Sequence, residues 1–234
     1  MLQKFLPVID FESYEDMKAN YKVNVPEGFN FAYDIVDAWA DEDESKNALL
    51  WCNDKKDSAG NRGKKMYTFK DMKLLSNKAA NLFLSLGIKK GDTVMFMLKQ
   101  RPEVWIAFLA LHKIGAICIP ATYQLTSKDI VYRCNVAQVK MVICVDDDYL
   151  VNEVINAKEK CNTLELLATV GERNYDGFLD FRKELDKQPE FLDRIKNNTS
   201  DPMLIYFSSG TTGMPKMILH DYSYPLGHIS TAKY

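Results

Sequence analysis

The run Met203-Leu204-Ile205-Tyr206-Phe207 leads without a break into Ser208-Ser209-Gly210-Thr211-Thr212-Gly213-Met214-Pro215-Lys216. Uninterrupted apolar character over five residues fits a strand buried on both faces, as in a parallel sheet with helices above and below. The nine residues after it hold four hydroxyls, two glycines and one lysine. Glycine permits backbone conformations closed to other residues, hydroxyls donate and accept, and the ammonium adds positive charge. A turn of this kind at the exit of a buried strand can wrap an anion, where open α/β sheets usually bind ligands. Ser, Thr and Gly also enrich in ordinary surface turns, and composition alone leaves both readings open.

Working back from this loop, strands and helices alternate. Met141–Val145 and Leu164–Val170 read as strands, with Tyr149–Lys160 and Phe178–Lys187 as helices. Thr126 and Asp129 predict a capped helix to about Asn135, and Thr68 and Asp71 one with a buried face through Met72, Leu75, Ala79, Leu82 and Phe83. Gly87 and Gly115 fall where helices stop, Pro102 where one starts, and Thr93–Leu98 and Ile117–Ile119 read as strands. The expected fold class is therefore α/β, a largely parallel sheet covered by helices. Residues 1–68 read as a lead-in: a short helix at Tyr14–Ala19, a helix over Phe31–Trp39 with Asn30 as its cap, and a hairpin of Ala48–Cys52 and Lys65–Thr68. Residues 69–234 read as an α/β subdomain ending just after the loop, with Met203–Phe207 as its final strand. The polar segment Lys187–Asp201 reads as a surface connection.

With 234 residues, 47% of them hydrophobic, the chain can bury a full core. Thirty Lys and Arg against 32 Asp and Glu provide no global field for nucleic acid or anionic lipid, so an anion must be held locally. Nothing approaches the ~18 apolar residues of a bilayer span. No secretory leader is visible, and a cytoplasmic location is expected, or a mitochondrial matrix one after removal of a transit peptide. Cys52, Cys118, Cys134, Cys144 and Cys161 form no C-x-x-C pair. They are read as free thiols in a reducing compartment, those in apolar runs (Cys52, Cys118, Cys144) packing as small hydrophobes.

Other glycine-rich motifs fail on spacing. A Walker loop needs Lys directly after the second glycine, but Met214 and Pro215 intervene. A nucleophile elbow needs glycine two residues before the serine, where Phe207 stands before Ser209. Gly210 and Gly213 also lack the partner that a dinucleotide fingerprint requires. Trp105 and Phe108, at helical spacing, are read as core rather than as pocket, and His112 and His228 are given no role.

Tyr206–Lys216 resembles the signature loop of the adenylate-forming superfamily. Phe29–Trp39, Gly87–Arg101, Lys113–Asp129 and Lys216–His220 are similar to the medium-chain and bacterial acetyl-CoA synthetase-like acyl-CoA synthetases within it. The resemblance implies an AMP-forming ligase: a carboxylic acid attacks ATP to give acyl-adenylate and pyrophosphate, and CoA then displaces AMP. It assigns Ser208, Ser209, Gly210, Thr211, Thr212, Gly213, Met214, Pro215 and Lys216 to the ATP phosphates and, more loosely, Gln124 to CoA. Mg2+ is implied as cofactor, but its ligand residues, the catalytic groups and a C-terminal domain have no counterpart among these residues. No catalytic or metal-binding residue is assigned here, and the piece by itself is expected to be inactive. The rival expectations are a non-catalytic nucleotide-binding domain and an adenylation domain loading a carrier protein.

Overall fold

A computed structural model describes residues 1–56, 62–208 and 213–233. After a 3-10 turn (Leu2–Lys4) and α1 (Tyr14–Asn20), a π-helical stretch Ala32–Asp37 runs into α2 (Ala38–Glu42). Strands β1 (Asn47–Lys56) and β2 (Arg62–Thr68) pair antiparallel. There follow α3 (Phe69–Ser85), β3 (Thr93–Met97), α4 (Pro102–Ile114), β4 (Ile117–Pro120), α5 (Ser127–Ala137), β5 (Val139–Val145), α6 (Asp148–Lys158) and β6 (Leu166–Val170). The chain continues through β7 (Leu179–Asp180), α7 (Phe181–Asp186), β8 (Pro202–Phe207), β9 (Met217–Asp221), α8 (Tyr224–Gly227) and α9 (Ile229–Lys233).

The large sheet has the order β7-β6-β5-β3-β4-β8-β9, parallel throughout except for the antiparallel edge pair β8/β9. Stepping from β3 to β4 and then back past β3 to β5 reverses direction. Right-handed crossovers consequently put α4 on one face and α5 and α6 on the other. The expected α/β class is what the chain adopts. β3 is buried at every position, and β5 at all but Lys140, the pattern of strands covered on both sides.

Local signals fix the helix ends. Thr68 with Asp71, and Thr126 with Asp129, form complete capping boxes. Gly115 stops α4 at φ 76°, in the left-handed region where a side chain is strained.

Three expectations need correcting. Met203–Phe207 is not the last strand, because β9 returns antiparallel beside it. The stretch read as one helix over Phe178–Lys187 opens with the two-residue strand β7. Cys52 is exposed rather than packed inside, because the β1/β2 hairpin covers itself on one side only.

The connection 187–201 carries the chain from the β7 edge to β8 on the far side of β4. Asn77 donates to the Glu190 carbonyl and Asn81 to those of Pro189 and Phe191, which straps the segment across α3. Beneath it lies a buried polar hub. Lys113 is fully buried, and its ammonium donates to Asp37 Oδ1 (2.8 Å), Ser76 Oγ (2.9 Å) and Asn77 Oδ1 (2.7 Å). These bonds join the π-helical stretch, α3 and α4. Burial pushes the Lys113 pKa down and that of Asp37 up, and their mutual attraction opposes both shifts.

Candidate functional site

All six parallel strands point their carboxyl ends to one edge, so the segments that follow them line a common rim. The segment after β8 is the sequence-predicted loop. Its two feet are joined by the ladder pair Phe207↔Met217 and by the Ser208 N–H donating to the Lys216 carbonyl at 3.0 Å. The chain thus leaves and returns at the carboxyl end of β8, with its two feet joined. A third fastening comes from α5, where the Tyr132 hydroxyl donates to the Pro215 carbonyl at 2.8 Å. The Tyr132 ring meets Phe207 edge-on, and the Arg133 guanidinium lies 5.3 Å from the Phe207 centroid. The base of the loop is therefore held from both sides.

Gly213, Met214 and Lys216 are exposed and Pro215 half-buried. Lys216 has no ion-pair partner among the described residues, leaving its ammonium for an anion from solution. Gly213 does not occupy the left-handed region, and a Cβ there would meet open space. Nothing among the described residues demands glycine at 213. Ser209, Gly210, Thr211 and Thr212 lie outside the described residues.

Gln124 stands in the turn after β4, the strand beside β8, exposed, with its N–H donating to Thr122 Oγ1. The fold thus brings the Gln124 turn and the connection after β8 onto adjacent strands, but no bond joins their described residues. His220 sits on β9 with its ring 4.0 Å from that of Tyr224, which in turn meets His228 at 4.6 Å.

Sequence reasoning missed two cavities. One, of about 420 Å³, opens at the point where the strand order reverses, between β3 and β5. It is lined by Lys99, Arg101, Asp146, Asp147, Gly171, Glu172, Arg173 and Arg182. Its wall is prebuilt: Asp146 accepts from the Glu172 N–H (2.8 Å) and from Arg101 (3.0 Å), and a Cβ on Gly171 would lie 1.7 Å from Asp146 Cγ. Burial raises the Asp147 pKa, but the Leu150 N–H and Lys99 outweigh it and hold the carboxyl below its usual range. These residues come from four separate segments, three charged loops and the first turn of α7, each ordinary in the sequence.

The other cavity, of about 810 Å³, is almost wholly apolar and lies between α4, the π-helical stretch, the β4/β8 sheet face and α8/α9. Trp105 lines it and is 55% exposed, which corrects its reading as core. Phe108 fits that reading better, packing edge-on against Phe96 at 5.2 Å, although it also lines the cavity. His112 in the same wall is buried, and with no charged partner its pKa falls to about 3. Among the described residues no three His, Cys, Asp or Glu side chains group so as to hold a metal ion. These residues do not fit a Mg2+ site.

A mostly parallel α/β sheet with a hydroxyl- and glycine-rich connection fastened at the carboxyl end of β8 places the chain among open-sheet α/β domains. The chain belongs to the AMP-binding enzyme family, whose model matches residues 36–232. It is 34% identical over 219 residues to the mitochondrial acyl-coenzyme A synthetase ACSM3 of Mus musculus, covering 92% of this chain and 37% of that protein. It is 35% identical over 208 residues to the mitochondrial ACSM1 of Homo sapiens, covering 86% and 35%. The chain thus spans little more than a third of the length of these relatives.

Two solved structures share the fold. The anthranilate CoA ligase AuaEII in complex with anthranoyl-AMP superposes with a TM-score of 0.75 at 24% identity, over 86% of this chain and 36% of that one. An acyl-CoA synthetase of Brucella canis gives 0.72 at 22% identity, over 88% and 36%. No helix of the described residues is long and apolar enough to cross a membrane.

Proposed function

We propose that this chain is the phosphate-gripping part of an AMP-forming acyl-CoA synthetase, which activates a carboxylic acid with ATP and passes the acyl group to CoA. The observation that carries the reading is that the connection from β8 to β9 is tied at its feet by the β8/β9 ladder and by Tyr132, with Lys216 exposed. A preorganised ring of donors aimed at one anion binds it without reorganisation cost and stabilises charge that grows on it during reaction. In this role the hairpin takes the β- and γ-phosphates, and Lys216 neutralises charge on the departing pyrophosphate. That is help given mainly in the transition state.

Gln124, on the neighbouring strand exit, is proposed to approach CoA. Mg2+ is proposed to shield the phosphates. Of the two compartments considered, the mitochondrial one has the support of the relatives' names.

The test is Lys216→Ala in the full-length protein, with the half-reactions measured separately. Carboxylate-dependent exchange of pyrophosphate into ATP should fall by about 10²-fold or more, the scale of losing one preorganised charge contact. Thioester formation from preformed acyl-adenylate should change little. Equal slowing of both steps would refute the assignment.

A further inference from the structure

Strand β9 ends the large sheet on one side, with β8 as its only neighbour among the described strands. In an antiparallel ladder, successive residues turn their backbone N–H and C=O alternately toward the neighbouring strand and away from it. The Lys216 carbonyl accepts from Ser208, and the Tyr222 N–H donates to the Thr199 carbonyl, so the even-numbered residues turn inward to the sheet. The backbone groups of Met217, Leu219 and Asp221 therefore point outward from its edge.

Such an edge is usually blunted by charge, by proline or by a covering element. Residues 217–219 have neither charge nor proline, and Met217, Ile218 and Leu219 are 44%, 44% and 53% exposed. Successive side chains alternate between the faces, so β9 offers apolar surface on both. Lys216 and Asp221 stand at its two ends, and neither has an ion-pair partner among the described residues.

We propose that β9 is a self-association surface, and that its occupant is β9 of a second copy of this chain, added antiparallel about a two-fold axis so that two sheets become one. The strand complements itself in backbone and in charge. Full overlap of Met217–Asp221 puts the axis at Leu219, which then faces Leu219 of the second copy, while Met217 faces Asp221 of the second copy. All three outward-turned residues thereby meet outward-turned residues, as hydrogen-bonded antiparallel pairs require. Reversal of direction also brings Lys216 of each copy to the end of the ribbon where Asp221 of the other lies, so the two unpaired charges of each strand meet opposite sign. A two-fold contact uses the edge on both copies, and association stops at the dimer.

The experiment measures the mass of the 234-residue chain by light scattering and sedimentation from micromolar to hundred-micromolar concentration. The expected result is a concentration-dependent shift to twice the chain mass, lost in Leu219→Lys, which sets two ammonium groups against each other at the axis, with an unchanged far-UV spectrum. A chain that stays monomeric throughout, or a folded Leu219→Lys variant that dimerises like wild type, would overturn the proposal. Crosslinking tests the register and decides alone should Leu219→Lys not fold. In a Cys52→Ser background the other cysteines are buried. Leu219→Cys, with Cα atoms about 5.5 Å apart across the axis, should give a disulfide-linked dimer under mild oxidation. Ile218→Cys, offset from its own copy by two residues and so beyond the ~7 Å limit of a bridge, should not. Absence of crosslinking at 219, or equal crosslinking at 218, would contradict the pairing.

Discussion

His112 should make the stability of this chain acid-sensitive by an amount that its surroundings determine. Its ring stands edge-on to Phe108 at 5.5 Å and to Tyr222 at 6.0 Å, with Nε2 at 3.6 Å from Cys118 Sγ and Nδ1 buried without a partner. A charge there has neither water nor an anion, and the pKa drops from 6.5 to about 3. The unfolded chain takes up this proton below 6.5 and the folded chain does not, so the contribution is complete above 6.5 and drains away as pH falls toward 3. The loss approaches about 1.4 kcal/mol per pH unit and reaches about 2 kcal/mol near pH 5. Other carboxylates and histidines titrate as well, so the quantity to follow is the difference between wild type and His112→Phe. Urea unfolding of both proteins between about pH 7.5 and 5, read by tryptophan fluorescence, supplies it. The variant should gain about 2 kcal/mol on wild type over this interval. A difference constant to within about 0.5 kcal/mol would show that His112 is not held neutral by burial, and the reasoning would fail.

Lys113→Met should lower stability by about 3–5 kcal/mol in the same assay, because it strands the Asp37 carboxylate and two side-chain acceptors. Adding Asp37→Asn should recover part of the loss. Tyr132→Phe removes only the bond to the Pro215 carbonyl and should weaken ATP binding by about fivefold, near 1 kcal/mol, with an unchanged far-UV spectrum. Unchanged affinity would mean that the foot of the hairpin needs no such support. Gly171→Ala drives a methyl into Asp146 and should cost about 1–3 kcal/mol in thermal unfolding, whereas alanine at Gly213, which faces open space, should not destabilise the fold.

Much of this fold was legible because its signals are local. The boxes Thr68/Asp71 and Thr126/Asp129 satisfy backbone donors three residues away, and Gly115 marks a backbone angle that its neighbours cannot adopt. The buried strands announced themselves because a sheet covered on both faces needs apolar side chains at every position. What escaped depends on contacts distant in sequence. A lysine in the last turn of α4 reads as a favourable dipole partner at a solvated helix end, yet Lys113 is enclosed by Asp37, Ser76 and Asn77 from two other elements. Trp105 has the spacing of a core residue, but the 810 Å³ cavity leaves it half open. The charged cavity needs Lys99, Asp146, Gly171 and Arg182 brought together by the reversal of strand order, and no short window of sequence holds that information. For the hairpin, the residue types were readable, whereas the anchoring of its foot by Tyr132, 83 residues away, was not.

Two concave or charged features share the sheet rim, and only one is proposed to hold the nucleotide phosphates. Amide hydrogen exchange of the full-length protein, compared with and without ATP and Mg2+, separates them. Slowed exchange across residues 208–217, reduced by Lys216→Ala, is the outcome predicted here. Slowing confined to residues 99–101, 146–148 and 171–173, with the hairpin unchanged, would move the phosphate site to the charged cavity and contradict the central claim.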